Sequence, residues 1–243
     1  MLTFLRSLLF SIGMVVTIIG YGALMPLVAL APFPRRYAFT RHWARTNLRW
    51  LELTCGVRYR VIGRDNLPTR PAVVLSKHQS TWETLAFQEI LPPLVWVMKR
   101  ELLWLPFFGW GLAIGRPIAI DRKAGRRAME QMLSQGKQRL ADGLWVVIFP
   151  EGTRMPPGQR GRYRPGGALL AVQAQVPVVP VAHNAGELWG KRRFLKYPGT
   201  ITVAIGPPIE TAGRDPAAVL KQAEDWIENT ISGTITPARS TPR

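Results

Sequence analysis

The stretch that decides the fold is Leu-Trp-Val-Val-Ile-Phe-Pro-Glu-Gly-Thr-Arg at residues 144–154. Residues 144–148 form a short apolar run of the kind found in fully buried strands. The residues after them supply a flexible glycine amide, a hydroxyl and a guanidinium. Ligands of α/β proteins bind at the carboxyl ends of strands, where backbone N–H groups and positive charge can hold an anion. The stretch therefore predicts a buried strand followed by an anion-binding turn, a site for a phosphate.

Short apolar runs and amphipathic stretches alternate along the chain from about residue 57. The predicted strands are 59–62, 72–75, 95–98, 118–120, 145–149, 178–182 and 201–205. The predicted helices are 81–90, 123–140, 167–175 and 216–231, the last with Asp215 as N-cap and Pro216 at its first position. This alternation predicts an α/β fold, with a layered, partly parallel sheet flanked by helices.

Composition limits the possible partners. The 32 Lys and Arg residues against 15 Asp and Glu give a net charge of +17, which implies a polyanionic neighbour: nucleic acid, an anionic membrane surface or anionic substrates. The single cysteine, Cys55, excludes an internal disulfide. One cysteine and three histidines give no metal-ligand spacing, so we expect no metal and no cofactor. A reducing compartment fits this cysteine usage.

The amino terminus has the character of membrane sequence. Residues 7–34 carry no charge and are rich in Leu, Ile and Val, with Gly20, Gly22 and Pro26 among them. One helix of that length would exceed the roughly 30 Å hydrocarbon layer, so it either spans with tilt or breaks near residues 20–26 into a hairpin. A cleaved signal peptide is the alternative, but its apolar region would be shorter and a small-residue cleavage site would follow.

Arginines cluster after the apolar segment and not before it. A single span would therefore leave the bulk of the chain in the cytoplasm, at the inner membrane, with the arginines against anionic lipid headgroups. The basic stretch 191–196, with Arg160, Arg162 and Arg164, is also expected to face anionic lipid. We divide the chain into a membrane-attached helical segment with a basic connector at 1–56, an α/β domain at 57–231 and a flexible tail at 232–243.

A His-carboxylate pair follows the predicted strand at 72–75. His78 and Glu83 would lie about 140° apart in one continuous helix, so they can meet only if His78 precedes the helix. The Ser80-x-x-Glu83 pattern supplies that start as a capping box. The pair is therefore consistent with a general base, and equally with a helix cap beside an ordinary loop histidine.

Four blocks in a fixed order accompany this pair: Lys-His-Gln-Ser-Thr-Trp-Glu at 77–83, the aromatic run after Lys99 with Ile-Asp-Arg at 120–122, Phe-Pro-Glu-Gly-Thr-Arg at 149–154, and Val-Pro-Val-Val-Pro-Val at 176–181. Over about residues 60–185 the chain resembles the 1-acyl-sn-glycerol-3-phosphate acyltransferase family, the PlsC-type glycerophospholipid acyltransferases. That family usually has Asn-His and an Asp in the first block, where this chain has Lys77 and Glu83. Lipid A acyltransferases share the His-carboxylate spacing but are not expected to carry the aromatic and Phe-Pro-Glu-Gly blocks.

The resemblance implies an enzyme that moves an acyl group from acyl-CoA or acyl-carrier protein to the sn-2 hydroxyl of lysophosphatidic acid. It makes His78 the general base and Glu83 the residue that holds its imidazole. It assigns the substrate phosphate to Lys99, Arg122, Gly152 and Arg154, with Glu151 and Thr153 in support. It places Pro180 at the acyl or donor site, although a proline in a strand also marks sheet edges.

Several alternatives stay open. Glu151 either orders the turn or Arg154 without touching the ligand, or is part of a buried structural ion pair. The aromatic run 104–110 is either core or a membrane-facing rim. Cys55 and Ser80 are weak candidates for a covalent nucleophile, since Ser80 lacks the G-x-S-x-G elbow. Another lysolipid acceptor is the nearest functional alternative. A non-catalytic protein that binds anionic lipid or nucleic acid is the other, although no nucleic-acid motif is present.

Overall fold

The computed structural model describes residues 1–235, except for the side chain of Arg122. The predicted tail at 232–243 therefore lies mostly outside the described residues. The chain begins with two long helices, α1 (Leu2–Val28) and α2 (Phe33–Cys55), joined by a short turn. Contacts such as Tyr21 with Thr46 and Trp50 with the carbonyl of Leu9 show that the two helices pack antiparallel.

Within residues 1–235, seven strands form one sheet, and every predicted strand is present. They are β1 (Val57–Ile62), β2 (Val73–Ser76), β3 (Leu94–Lys99), β4 (Ile118–Ile120), β5 (Trp145–Ile148), β6 (Val178–His183) and β7 (Gly199–Ile205). Their order is β1-β7-β6-β2-β5-β3-β4. Neighbours run parallel except β6 and β7, which are antiparallel. The predicted α/β class with a partly parallel sheet is confirmed.

Helices cover both faces of this sheet. They are α3 (Trp82–Ile90), α4 (Phe108–Ile114), α5 (Arg126–Ala141), α6 (Gly166–Ala174), α7 (Ala185–Leu188) and α8 (Pro216–Gly233). The short helices α4 and α7 have too few turns to show a helical period in the sequence. Helix α5 begins later than predicted because Asp121 Oδ1 accepts the Lys123 N–H at 2.9 Å and forms a separate 3₁₀ turn first.

The two faces of the sheet belong to two hydrophobic clusters. Val74 in β2 points to the cluster that contains residues of α1, α2 and α3, among them Phe10 and Leu51. Its neighbours Val73 and Leu75 point to the opposite cluster, which contains residues of α5, α6 and α8. Because both faces are covered there, the central strands β2, β5 and β6 are buried throughout, as is usual in parallel sheets, whereas the edge strand β1 is mostly exposed. The amino-terminal helices are thus part of the domain core.

Helix α1 is continuous through Gly20, Gly22 and Pro26, so of the two alternatives left open, a break near residues 20–26 is wrong. The chain turns later, at residues 29–32. Two of the glycines in α1 instead allow close packing. A Cβ on Gly13 would lie 2.1 Å from Trp50 Nε1, and one on Gly22 would lie 2.4 Å from Phe107 Cβ. Larger residues at these positions would force α2 and the segment before α4 away from α1.

Lys196 fixes the first half of α1 to the domain. Its Nζ donates to Ser11 Oγ at 3.1 Å, and its backbone N–H donates to Ser7 Oγ at 2.9 Å. The ammonium group also lies over the rings of Phe10, Trp189 and Phe194 at 5.0 to 5.2 Å. Burial lowers the pKa of Lys196. Lys196 therefore packs inside the protein. The expectation that it faces anionic lipid with the rest of the basic stretch is wrong for this residue.

Most of the apolar side chains of α1 remain exposed. Within residues 1–235, α1 is the helix long and apolar enough to cross a membrane by length and composition. Next to it, in the aromatic run, the side chains of Trp104, Leu105 and Trp110 are exposed. Phe107 and Phe108 of the same run pack inward, against Gly22 and Trp43 respectively. The aromatic run is thus part core and part exposed rim.

We predict that Gly22→Ala destabilises the protein by about 1–3 kcal/mol, because the added methyl group meets the backbone of Phe107. Gly20→Ala is the matched control, since nothing lies within 4 Å of its added Cβ and alanine favours helix. Thermal unfolding in detergent measures both. Equal melting temperatures for the two variants would contradict the packing described for α1.

Candidate active site

The predicted site residues meet at the carboxyl ends of neighbouring strands. His78 follows β2, the turn 151–154 follows β5, and Lys99 ends β3. These three strands are adjacent in the sheet, so their parallel ends bring the residues together. His78, Lys99 and residues 152–154 line one cavity of about 390 Å³. The site is therefore where an open parallel sheet is expected to carry one.

His78 lies in the loop before α3 and reaches back to that helix. Its Nδ1 is 2.8 Å from Glu83 Oε1, and its side chain is 15% exposed. A carboxylate only accepts hydrogen bonds, so Nδ1 carries the proton and Nε2 is left as an acceptor. This arrangement gives the imidazole the tautomer that a general base needs.

Glu83 caps its helix and holds His78 at the same time. Its Oε1 accepts the backbone N–H groups of Gln79 and Ser80 at 2.9 and 2.8 Å, in addition to the His78 ring. Ser80 Oγ accepts the N–H of Trp82 at 3.1 Å. Half of the predicted capping box is thus formed, from Glu83 back to Ser80. Glu83 thus makes both the cap contact and the His78 contact, and its part in catalysis stays a prediction.

The pKa of Glu83 lies below its ordinary value. Burial of the carboxyl, whose Oε2 has no hydrogen-bond partner among the described residues, works to raise it. The nearby His183 ring and the hydrogen bonds from His78 and the Ser80 N–H outweigh burial. Burial lowers the pKa of His183, whose Nε2 donates to the Lys77 carbonyl at 2.8 Å. Glu83 therefore stays ionised at neutral pH while His183 is neutral.

The backbone and ring of His78 are held by the segment that follows β5. The ring stacks on Phe149, with centroids 3.9 Å apart. The His78 N–H donates to Glu151 Oε2 at 3.1 Å, and its carbonyl accepts the Met155 N–H at 2.7 Å. The general-base candidate and the predicted anion-binding turn therefore form one connected unit.

Glu151 faces away from the cavity, into a buried ion pair. Its Oε1 lies 2.8 Å from Lys77 Nζ, and both side chains are almost completely buried. Oε1 also accepts the N–H of Gly161 at 3.2 Å. Of the two interpretations of Glu151, the structure shows the buried ion pair, which orders the turn between β5 and α6. Lys77 was not among the residues singled out from sequence, apart from its difference from the usual asparagine.

The other predicted binding residues are mostly at the cavity. Lys99, Gly152, Thr153 and Arg154 line it. Gly152 has a φ of 68°, which favours glycine. Arg122 begins the 3₁₀ turn after β4, but its side chain lies outside the described part of the chain, so its phosphate contact stays a prediction.

Two cations that the sequence analysis placed at the membrane also line the cavity. They are Lys191 and Arg192, and Lys191 Nζ donates to Thr153 Oγ1 at 3.2 Å. Their loop follows α7, far along the chain from the other blocks, and no local pattern in the sequence connects it to His78. Apolar side chains, among them Trp96, Phe108 and Leu112, also line the cavity. The cavity can thus hold an anionic group and a hydrocarbon chain near one imidazole.

The structure does not bring Pro180 to this cavity. Pro180 lies inside β6, which pairs with β2 on one side and β7 on the other, so the sheet-edge interpretation is wrong. Its carbonyl accepts the N–H of Gly206, just after β7, at 2.9 Å, and the strand pairing with β7 begins at Val181. Its ring faces Gly206, where an added Cβ would lie 2.8 Å from Pro180 Cγ.

The candidate nucleophiles are placed unfavourably. Cys55 ends α2, where its buried thiol donates to the Arg6 carbonyl, and burial raises its pKa. Ser80 is completely buried, with its hydroxyl used at the start of α3. Within residues 1–235 no group of three or more His, Cys, Asp or Glu side chains could hold a metal ion. Neither Cys55 nor Ser80 is among the residues that line the cavity.

Comparisons with known proteins agree with this site. The family model described as Acyltransferase matches residues 58–184. A 1-acyl-sn-glycerol-3-phosphate acyltransferase of Pseudomonas aeruginosa is 45% identical over 233 residues, which cover 94% of this chain and 91% of that protein. The chain belongs to the 1-acyl-sn-glycerol-3-phosphate acyltransferase family. It is an acyltransferase, and the resemblance found from its motifs is confirmed.

More distant relatives extend the same similarity. The 1-acyl-sn-glycerol-3-phosphate acyltransferase alpha of Homo sapiens is 36% identical over 177 residues, 71% of this chain and 62% of that protein. The crystal structure of the 1-acyl-sn-glycerophosphate acyltransferase PlsC from Thermotoga maritima shares the fold, with a TM-score of 0.80 and 23% identity. That match covers 98% of this chain and 97% of the other, so it includes the helices α1 and α2.

We predict that Glu83→Gln lowers kcat by about 10²-fold or more, because the amide no longer stabilises a charged imidazole.

The lowered pKa of Glu83 also predicts a pH effect on the stability of the fold. Its contribution to stability is present above about pH 4.3, the ordinary value for Glu, and is lost as the pH falls through the lowered value. The melting-temperature difference between wild type and variant should therefore narrow only under strongly acidic conditions.

Glu89→Gln is the matched control for this prediction. Glu89 lies on the same helix and pairs with Arg41 and Arg45 away from the cavity. We expect nearly wild-type kcat from it. A Glu83→Gln enzyme as active as Glu89→Gln would contradict the role assigned to the Glu83 carboxylate.

Proposed function

We propose that this acyltransferase moves an acyl group from acyl-CoA or acyl-carrier protein to the sn-2 hydroxyl of lysophosphatidic acid, giving phosphatidic acid. The observation that carries the proposal is the His78–Glu83 pair, with His78 at a cavity lined by both cationic and apolar side chains. A lysophosphatidic acid molecule has the matching parts: a phosphate, a free hydroxyl and a hydrocarbon chain. The substrate in the names of the relatives supports the same assignment.

In the proposed reaction, His78 Nε2 takes the proton of the sn-2 hydroxyl as its oxygen attacks the thioester carbonyl carbon. Glu83 stabilises the imidazolium that forms, and a positioned base of this kind contributes about 10² to 10⁴ in rate. When the carbon–sulfur bond breaks, the thiol leaves with the proton that His78 returns. No covalent acyl-enzyme is required, which agrees with the burial of Cys55 and Ser80.

The acceptor's phosphate would bind to Lys99, Arg122, Gly152 and Arg154. Thr153 lines the same cavity, and Glu151 orders the turn through its buried ion pair. Charge-assisted hydrogen bonds to a phosphate contribute about 1.5–3 kcal/mol each, so two or three of them account for roughly micromolar recognition. Lys191 and Arg192 add positive charge beyond the four predicted residues, which suits a reaction in which both substrates are anionic.

The protein would act at the cytoplasmic face of the inner membrane, attached through α1. Helix α1 contacts the domain from Phe4, beside Phe194, to Gly22, beside Phe107, so it stays with the domain along its length. A helix held in this way cannot cross the bilayer while the domain remains in water. We therefore infer that its exposed apolar side and the rim at Trp104 and Trp110 enter one leaflet, beside anionic lipids.

The test is acyl transfer to lysophosphatidic acid by membranes containing the protein, with acyl-CoA and with acyl-carrier protein as separate donors. We expect His78→Ala to lose about 10² to 10⁴ of the wild-type rate with a normal amount of folded, membrane-bound protein. His42→Ala is the matched control, because His42 is an exposed histidine of α2. We expect it to behave as wild type.

Two results would count against the proposal. A wild-type protein inactive with both donors would contradict lysophosphatidic acid as the acceptor and direct the assay to other lysolipids. A His78→Ala variant with unchanged activity would contradict the general-base mechanism.

A further inference from the structure

Lys77, the residue before His78, has an ammonium group that is enclosed by oxygen atoms. Its side chain is 1% exposed. Nζ lies 2.8 Å from Glu151 Oε1, 2.8 Å from Glu228 Oε1 of α8, and 2.9 Å from the carbonyl oxygen of Gln159. An ammonium has three N–H donors, so these three contacts satisfy it completely. A buried charge requires such partners, and here they come from three different segments of the chain.

The same contacts reach the backbone of His78. Glu151 uses one carboxylate oxygen for Lys77 and the other for the His78 N–H. The Lys77 carbonyl accepts a hydrogen bond from His183 Nε2 at 2.8 Å. The turn 151–155 is therefore tied to the His78 loop through Lys77, and α8 is tied to both through Glu228.

We propose that Lys77 is a positioning residue for the acyl transfer: its ammonium group keeps the general base His78 and the turn that carries Gly152 and Arg154 in one fixed geometry. The proposal rests on the function proposed above. It also gives a reason for lysine at a position where the family usually has asparagine. In this chain the position faces two carboxylates, Glu151 and Glu228, and a neutral amide cannot balance both.

The charges predict what the loss of the ammonium would do. Without it, two carboxylates with little access to water would repel each other across the place of the lysine. Glu228 is 17% exposed and also accepts a hydrogen bond from Tyr163 at 2.9 Å, whereas Glu151 is completely buried. Glu151 cannot escape without moving the turn, so the turn and the His78 N–H would separate.

The test is a double-mutant cycle of Lys77→Asn and Glu228→Gln, with kcat and KM measured for both substrates. We expect Lys77→Asn to lower kcat at least about 10-fold and to raise the KM for lysophosphatidic acid, because base and phosphate turn move together. Glu228→Gln alone should cost a few-fold. The double variant, with one carboxylate fewer, should recover most of the loss.

Ile227→Val is the matched control for stability, since Ile227 is a buried residue next to Glu228 on the same helix. It should lower the melting temperature and leave kcat and KM of the folded enzyme unchanged. Wild-type kcat and KM in Lys77→Asn would overturn the proposal. So would a double variant as impaired as Lys77→Asn, or a loss that follows only the fraction of folded protein.

A measurement independent of catalysis separates this proposal from the proposed function. Amide hydrogen exchange should speed up at His78 and Gly161 in Lys77→Asn and slow again in the double variant, since both N–H groups donate to Glu151. Unchanged exchange would overturn the positioning role even in an active enzyme. An inactive wild type with the expected exchange pattern would overturn the proposed function alone.

Discussion

The hydrogen bond between His78 Nδ1 and Glu83 Oε1 is the interaction on which the site depends. It fixes the tautomer of the imidazole, and the same oxygen accepts the N–H groups of Gln79 and Ser80 in the loop just before α3. The start of the helix and the orientation of the base are therefore set by one carboxylate. Because that carboxylate is buried and ionised, it keeps its place only while these donors remain in place.

The sheet supplies the second constraint. Parallel strands β2, β5 and β3 end side by side, so the proposed base from one, the predicted anion-binding turn from the next and a lysine from the third share a cavity. Glu151 and Lys77 join the first two at the level of the backbone. The amino-terminal helices add the apolar part of the structure. Helix α1 and the aromatic run place an exposed apolar surface next to the cavity.

Much of this could be predicted from sequence, because the deciding signals are local. Most of the strands are short apolar runs bounded by turn residues, and His78 and Glu83 lie five residues apart around the start of a helix. Contacts that depend on packing could not be predicted. Nothing in the sequence near Lys77 indicates its contact with Glu228, and nothing near Lys191 indicates its contact with Thr153.

Glycines in α1 resemble helix breaks because the sequence does not show the rings of Trp50 and Phe107 that approach them. Pro180 resembles an edge residue because a single sequence does not show the order of the strands in the sheet.

The most direct test of this account is the tautomer of each histidine, measured by NMR on protein labelled with ¹⁵N-histidine in detergent. The chain has three histidines, so single substitutions assign the signals. The account predicts a neutral His78 protonated at Nδ1 and a neutral His183 protonated at Nε2, with the His78 preference lost in Glu83→Gln. A His78 protonated at Nε2 in the wild type would leave no base facing the substrate hydroxyl and would contradict the account.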